Sequence, residues 1–387
     1  MIELFKVFFK LGCLGFGGPV AAMGLIEEEV VRKRNWLTMS QFTQVYTVLK
    51  LFPGPFSTQM AIYVGNLRGG LLGAIVTFIA FISPSVLSVL FLSYLYVKQG
   101  AIHASGQTFF GFQLAALVII FQSAILLAKP YWRDRFSWLI AALAGVIVYL
   151  FPRFEPLILV AFGVVGIFAT STLGLMHVAT SDEAPAPFPK SPHLAWLSLA
   201  YVPAFACAAS VGVLADLYWT SFKAGAFVFG SGLAILPLLE GEVVSHFHWL
   251  THNQFMDGLA MGQVTPGPIV TAATFIGYVV HSWIGALVAT VGIFLPAFFN
   301  VILVLPRVCQ RMAKSPRSGS FLKFAIPAVI GAILASSIRI GNGAFGMGFG
   351  PTINWVLLVV GLAISMRFKI PGWLLILVVG AVGVVVA

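Results

Sequence analysis

Two lysines, Lys10 and Lys223, stand about two helical turns ahead of glycine-rich breaks in otherwise apolar sequence, Phe16-Gly17-Gly18-Pro19 and Phe229-Gly230-Ser231-Gly232. A second pair of breaks follows, Pro53-Gly54-Pro55 and Pro266-Gly267-Pro268. Proline ends a helix and suits the first position of the next. The amides of Phe56, Ser57 and Thr58, and those of Ile269, Val270 and Thr271, therefore have no helical carbonyl behind them. Such an end favours an anion by about 0.3 to 2 kcal/mol. One end is weak, but several converging ends with a cation beside them suit an oxyanion. The residues placed for this role are Lys10, Gly17, Gly18, Gly54, Ser57, Thr58, Lys223, Gly230, Ser231, Gly267 and Thr271. Each lysine is equally suited to snorkelling toward a membrane interface.

A lone Pro-Gly-Pro is most simply a kink. Here the breaks are duplicated in one register of 213 residues, 17 onto 230 and 53 onto 266. The same register superposes Lys10 on Lys223, Glu27 and Glu29 on Glu240 and Glu242, Trp36-Leu37-Thr38 on Trp249-Leu250-Thr251, and Gln41-Phe42 on Gln254-Phe255. The chain is two copies of one unit. Thr38 with Gln41, and Thr251 with Gln254, have the spacing in which each side chain satisfies a free amide at a helix start. A helix is expected from each threonine. The first, ending near Phe52, is short of the ~30 Å hydrocarbon core and is expected to enter the bilayer without crossing it.

Glu27, Glu29, Glu240 and Glu242 are candidate proton carriers for coupled exchange, the other reading being a solvated helix end. His246, His248 and His252 have no counterparts in the first copy and no ligand spacing around them, so no metal is expected. Cys13, Cys207 and Cys309 fit neither a disulfide framework nor a metal site. Lys50 and Arg68 lack basic counterparts, Arg339 reads as the mark of a helix end, and Trp36 and Trp249 read as interfacial anchors.

What must position these residues is a membrane-embedded scaffold. Of 387 residues, 59% are hydrophobic and 9% charged, with mean hydropathy +0.99; soluble domains carry roughly 25% charged residues. Runs such as 71–97 and 284–305 are apolar all round, so the spans are helices rather than barrel strands. The fold class is an all-α polytopic membrane protein with roughly 12 to 14 spanning or half-spanning segments. The net charge of +10 sits mainly in short loops, where it sets topology and meets anionic lipid, so nucleic acid is not an expected partner. The N-terminal segment lacks a cleavage site and reads as retained.

The organisation expected is a first repeat over 1–176, a proline-rich linker with one additional apolar segment (194–214) over 177–215, and a second repeat over 216–387. If each copy crosses an even number of times, the extra segment inverts the second copy. The basic loop Arg307, Arg311, Lys314 and Arg317 then places the N-terminus in the cytoplasm. The run Arg32-Lys33-Arg34 falls on the wrong side unless residues 4–26 form a re-entrant hairpin. Inverted repeats with broken helices are the pattern of secondary transporters whose half-helix starts face an anionic substrate. Small residues such as Gly145, Gly163 and Gly166 permit close helix packing, within the chain or in a homodimer.

These motifs resemble the chromate ion transporter family. The resemblance rests on Phe16-Gly17-Gly18-Pro19, Trp36-Leu37, Pro53-Gly54-Pro55 with Ser57-Thr58-Gln59, and Phe81 to Pro84 in the first half. In the second half it rests on Phe229-Gly230-Ser231-Gly232, Pro237-Leu238-Leu239-Glu240, Thr265-Pro266-Gly267-Pro268 and Phe294-Leu295-Pro296. It implies a long-chain, two-domain transporter of the cytoplasmic membrane, without cofactor, exporting chromate or a similar oxyanion such as sulfate and giving chromate resistance. One departure is visible: where the family often has a histidine shortly after Gly-Gly-Pro, this chain has Ala22. A passive anion channel using the same helix ends is the competing reading, and no catalytic constellation points to an enzyme.

Overall fold

A computed structural model describes residues 1–15, 18–49, 52, 54–98, 110–151, 154–173, 212–228, 236–306, 316–344, 351–368, 370, 374–375 and 378–379. Gly17, Gly230, Ser231, Lys50, Pro53, the linker and nearly all of the additional segment lie outside the described residues. The described residues form thirteen helices and no strand.

α1 (Ile2–Leu14) and α2 (Gly18–Glu27) open the first copy, and α2 runs into a π-helical turn, Glu28–Lys33. At roughly 20 Å, α1 is too short to cross the hydrocarbon core. Glu3, near its start, pairs with Arg34 just beyond the π turn, and Arg34 also holds Glu29 at 3.3 Å. The two helices therefore go in and return to one face. This is the re-entrant hairpin that the loop charges require, and it puts Arg32-Lys33-Arg34 beside the N-terminus.

α3 (Met39–Leu49) starts where Thr38 and Gln41 predict. The Gln41 amide donates to Thr38 Oγ1 (3.2 Å) and the Thr38 amide to Gln41 Oε1 (3.1 Å). After the turn at Gly54 comes α4 (Phe56–Lys98), which is two helices. The backbone leaves the helical region at Gly69 (φ −144°) and Gly70 (φ 61°). Thr77 Oγ1 then donates to the Ala61 carbonyl, 16 residues back, at 2.9 Å. Sixteen residues of straight helix span about 24 Å, so the chain has doubled back. α4a (56–68) returns to the first face and α4b (71–98), roughly 42 Å long, crosses. The guanidinium groups of Arg34 and Arg68 each lie 5.3 Å from the Trp36 ring centroid, which ties both hairpins together at that face.

α5 (Phe110–Ala128), α6 (Arg135–Leu150) and α7 (Glu155–Leu173) follow. Asp134 caps α6, accepting from the Phe136 amide (3.0 Å) and Ser137 Oγ (2.8 Å). The Ser137 hydrogen bond, with the backbone amides, holds the Asp134 carboxyl below the usual carboxylate range. Its folded pKa being the lower one, the cap contributes in full above the unfolded value of about 3.9 and its contribution is lost as pH falls through the folded value. Asp134→Ala is expected to cost about 1 kcal/mol. In detergent-solubilised protein, the gap in melting temperature between wild type and this variant should be present at pH 7 and close on acidification.

The second copy repeats the first: α8 (Val213–Ala226), α9 (Leu236–Glu240) with a π turn at Gly241–His246, α10 (His252–Val264), a 3₁₀ turn at Ile269–Thr271, and α11 (Ala272–Phe299) extended by a π turn at Asn300–Val304. Both copies have the π turn in the same register. The Thr251–Gln254 box caps α10 with both bonds made. α11 also doubles back, at His281 (φ −149°) and Ser282 (φ 52°), with Thr274 and Thr290 hydroxyls 2.8 Å apart across the hairpin. α12 (Pro316–Ala344) and α13 (Pro351–Phe368) complete the described helices. Ser282 occupies at φ 52°, ψ −144° the backbone state that glycine holds in the first copy, one that disfavours a side chain. Ser282→Gly is expected to raise stability by about 1 kcal/mol, read as a higher melting temperature.

The relation of the copies follows from rings that meet between the long helices. Phe78 packs on Phe294 (5.9 Å) and Phe298 (5.6 Å), while Tyr94, sixteen residues further along α4b, packs near Trp283 (6.4 Å). Advancing along α4b means retreating along the second half of α11 (α11b, 283–299), so equivalent helices are antiparallel. The repeats are inverted. α11b consequently ends on the first face, shortly before the basic loop that begins at Arg307. Within each copy the opening helix lies on the long one at a glycine, Gly12 against the Phe81 carbonyl and Gly225 against that of Ile293. Large aromatic residues such as Tyr63, Phe8, Phe81, Phe255 and Phe294 fill the interior, whereas Leu72, Leu87, Phe91, Trp283 and Leu287 face outward. An apolar surface on this scale is what a bilayer covers.

Candidate anion-binding site

The breaks interlock at the centre. The Gly54 amide donates to the Val228 carbonyl (2.6 Å) and the Gly267 amide donates to the Gly15 carbonyl (3.2 Å). Residues 15 and 228, and 54 and 267, are equivalent in the repeat register. The two bonds are therefore one contact made twice about an approximate two-fold axis. Each copy completes the break of the other. Both turns need φ in the glycine region, +128° at Gly54 and +114° at Gly267. A Cβ on Gly54 would sit 2.5 Å from Gln59 Nε2 and 2.8 Å from Ala297 Cβ; one on Gly267 would sit 2.9 Å from Ser85 Cβ. Ser85 lies about 21 Å from either end of α4b, so the crossing is at mid-depth.

The two helix starts differ. In the first copy the first backbone bond among the described residues is Gln59 N–H to the Pro55 carbonyl (3.0 Å), and the amides of Phe56, Ser57 and Thr58 lie ahead of it at the helix start. Ser57 and Thr58 are buried, and Thr58 Oγ1 has no hydrogen-bond partner among the described residues. In the second copy the start is a tighter turn in which Thr271 closes on the Pro268 carbonyl through both its amide (3.1 Å) and its hydroxyl (2.8 Å). Thr271 Oγ1 also meets Ser85 Oγ (2.8 Å), which lies 3.4 Å from Thr265 Oγ1. One start is open and the other is bridged to α4b by hydroxyls.

The charged candidates stand apart from the crossing. Lys10 is exposed on α1, while Lys223 is half-buried and paired with Glu242 at 2.6 Å. The corresponding pair does not form in the first copy, because Glu29 is engaged by Arg34 (3.3 Å) and Lys33 (3.5 Å). Glu27 holds Arg32 at 3.0 Å. Glu240 takes His252 Nδ1 at 2.9 Å, so that histidine serves a carboxylate. Gly18 begins α2.

Sequence reasoning passed over four polar residues. Ser85 and Thr265 join the hydroxyl bridge at the crossing. Asp257, on α10, is 4% exposed and accepts from the Tyr96 hydroxyl at 2.9 Å; the Tyr96 ring packs edge-on against Phe275 at 5.2 Å. The available signal was a lone carboxylate in the apolar stretch leading to the second Pro-Gly-Pro.

Two inverted, broken-helix repeats, clasped at mid-depth beside buried donor-rich helix starts, define a membrane transport protein. The chain belongs to the chromate transporter family, whose model, described as "Chromate transporter", matches residues 2–167 and 215–384. It is 34% identical over 348 residues to a chromate transport protein of Cupriavidus metallidurans, covering 87% of this chain and 81% of that one. It is 32% identical over 343 residues to a probable chromate transport protein of Synechococcus elongatus, covering 88% and 84%. An uncharacterized transporter of Bacillus subtilis matches 41% of this chain over 90% of its own length, at 32% identity. No solved structure matches the chain significantly.

Proposed function

We propose that this protein is a secondary active transporter that exports chromate across the cytoplasmic membrane and so gives chromate resistance. The observation that carries the reading is the reciprocal clasp of Gly54 on Val228 and Gly267 on Gly15. It fixes two helix starts at mid-depth between inverted units, where either unit can swing about the other while the anion-binding groups stay in place. The amides of Phe56, Ser57 and Thr58, with the Ser57 and Thr58 hydroxyls, supply donors to a tetrahedral dianion, each helix end contributing about 0.3 to 2 kcal/mol. The relatives named for chromate transport supply the substrate. The face bearing Arg32, Lys33, Arg34 and Arg68 is assigned to the cytoplasm on loop charge. The Lys223–Glu242 ion pair and the Glu240–His252 hydrogen bond are placed as contacts that rearrange during the cycle. The repeat boundaries read from the sequence, 1–176 and 216–387, serve as the two moving units.

The test is uptake of labelled chromate into proteoliposomes of the purified protein, with and without an imposed pH gradient, and with excess sulfate. Accumulation that requires the gradient is the expected result. Flux that never concentrates chromate would make the protein a channel. Gradient-driven sulfate flux without chromate flux would keep the mechanism and move the substrate.

A further inference from the structure

Only two carboxylates are buried among the described residues, Glu29 and Asp257. Glu29 belongs to the ion-pair cluster on the basic face. Asp257 lies elsewhere: α10 starts at the opposite face with Thr251 and runs inward, so Asp257 sits roughly 9 Å below its start and about 12 Å short of Thr265 at the crossing. It stands between the outer face and the clasp, on the helix that ends at the clasp. Its equivalent in the first copy is Gln44, which cannot ionise. The proton site is present in one inverted unit and absent from the other, so the two units differ in what they can bind.

We propose that Asp257 is the carboxylate that takes up the coupled proton from the outer face, with Tyr96 as its positioning residue. This rests on the coupled-transport reading above. A carboxylate buried at this depth needs a hydrogen-bond partner, and the Tyr96 hydroxyl supplies one. Gaining or losing the proton changes the hydrogen bond that ties α10 to α4b through Tyr96. α10 transmits the change to Thr265, 3.4 Å from Ser85 Oγ in the hydroxyl bridge. Among the elements packed on α10, α4 faces Asp257 with Tyr96. α5 and the 269–271 turn have no titratable residue. α11 carries Tyr278, its ring packed on Trp283 (5.4 Å), and the exposed His281. α12 carries Arg317, Lys323 and Arg339, of which Lys323 lies near Asp134.

The test uses the full chain in proteoliposomes and two readouts, chromate accumulation driven by an acid interior and chromate counterflow without a gradient. Asp257→Asn keeps a hydrogen-bond acceptor and removes ionisation; it should lose accumulation at least tenfold while counterflow stays within about twofold of wild type. Asp257→Glu should restore gradient dependence, and Tyr96→Phe, which removes the hydroxyl bonded to Asp257, should weaken it severalfold with counterflow kept. Undiminished accumulation in Asp257→Asn overturns the proposal, and undiminished accumulation in Tyr96→Phe overturns the positioning role of Tyr96. Absence of gradient dependence in the wild type itself would sink the coupled reading, and this proposal with it. The wild-type protein offers a second measurement, because a hydrophobic carbodiimide adds to protonated carboxyl groups in apolar surroundings. Its adduct should map to Asp257 by peptide mass and accompany loss of accumulation. No adduct there would overturn the assignment even if Asp257→Asn failed to fold.

Discussion

Gly54→Val and Gly267→Val should each abolish chromate uptake in proteoliposomes and lower the yield of folded protein. Two costs act together. A branched side chain at positive φ carries a backbone penalty of roughly 1 to 2 kcal/mol, and overpacking adds typically 1 to 3 kcal/mol. At Gly54 the added carbon meets Gln59 Nε2 and Ala297 Cβ; at Gly267 it meets Ser85 Cβ. Ala297 and Ser85 are on the long helices of the opposite copies, so relief requires the clasp to open. Opening it strands the amides of Gly54 and Gly267 and the carbonyls of Val228 and Gly15 in the interior, where an unmade hydrogen bond costs about 1 to 3 kcal/mol. The paired measurement is melting temperature in detergent beside uptake. Retained uptake with a normal melt in either variant would show that the crossing does not bear on transport.

The second large effect belongs to the hairpins. Gly277→Val or Gly285→Val is expected to destabilise by about 3 kcal/mol or more, at the upper end of overpacking. In each case a Cβ would collide with the carbonyl of the facing glycine, and backbone cannot move aside as a flexible side chain does. The first copy has the same arrangement at Gly65 and Gly73, with Thr77 also against Gly65. Valine at Gly24 or Gly241, where nothing lies within 4 Å of the added Cβ, is the matched control. If the control and the hairpin variants melt alike, the close approach of the two helix halves is not what holds the fold.

The sequence revealed what local chemistry writes. Pro-Gly-Pro, the Thr–Gln boxes and the 213-residue register depend on residue types with fixed backbone consequences, and each recurs in the structure. The break at Gly69-Gly70, between the short piece ending at Arg68 and the run 71–97, was legible, but the reversal of the chain there was not, because glycine permits a turn without fixing its direction. Its partner in α11 was hidden further, since His281-Ser282 contains no glycine and is shifted by one residue. The clasp itself is a pairing of positions far apart in the chain, and no local pattern encodes which carbonyl an amide will find. Lys10 and Lys223 look equivalent by register, yet their surroundings diverge because Arg34 and Lys33 claim Glu29 in one copy only. Asp257 was missed for the opposite reason: a search for duplicated residues passes over the position where the copies differ.

The clasp also bears on how the chain is made. The amide of Gly54 finds its acceptor only when Val228 arrives, and at a synthesis rate of about 5 to 20 residues per second that is a wait of roughly 9 to 35 s. During that interval the nascent first half holds an unsatisfied peptide group at the depth of the membrane where water is scarcest. The insertion machinery must shelter it or let it remain near the interface. Whatever slows translation through the linker lengthens that exposure.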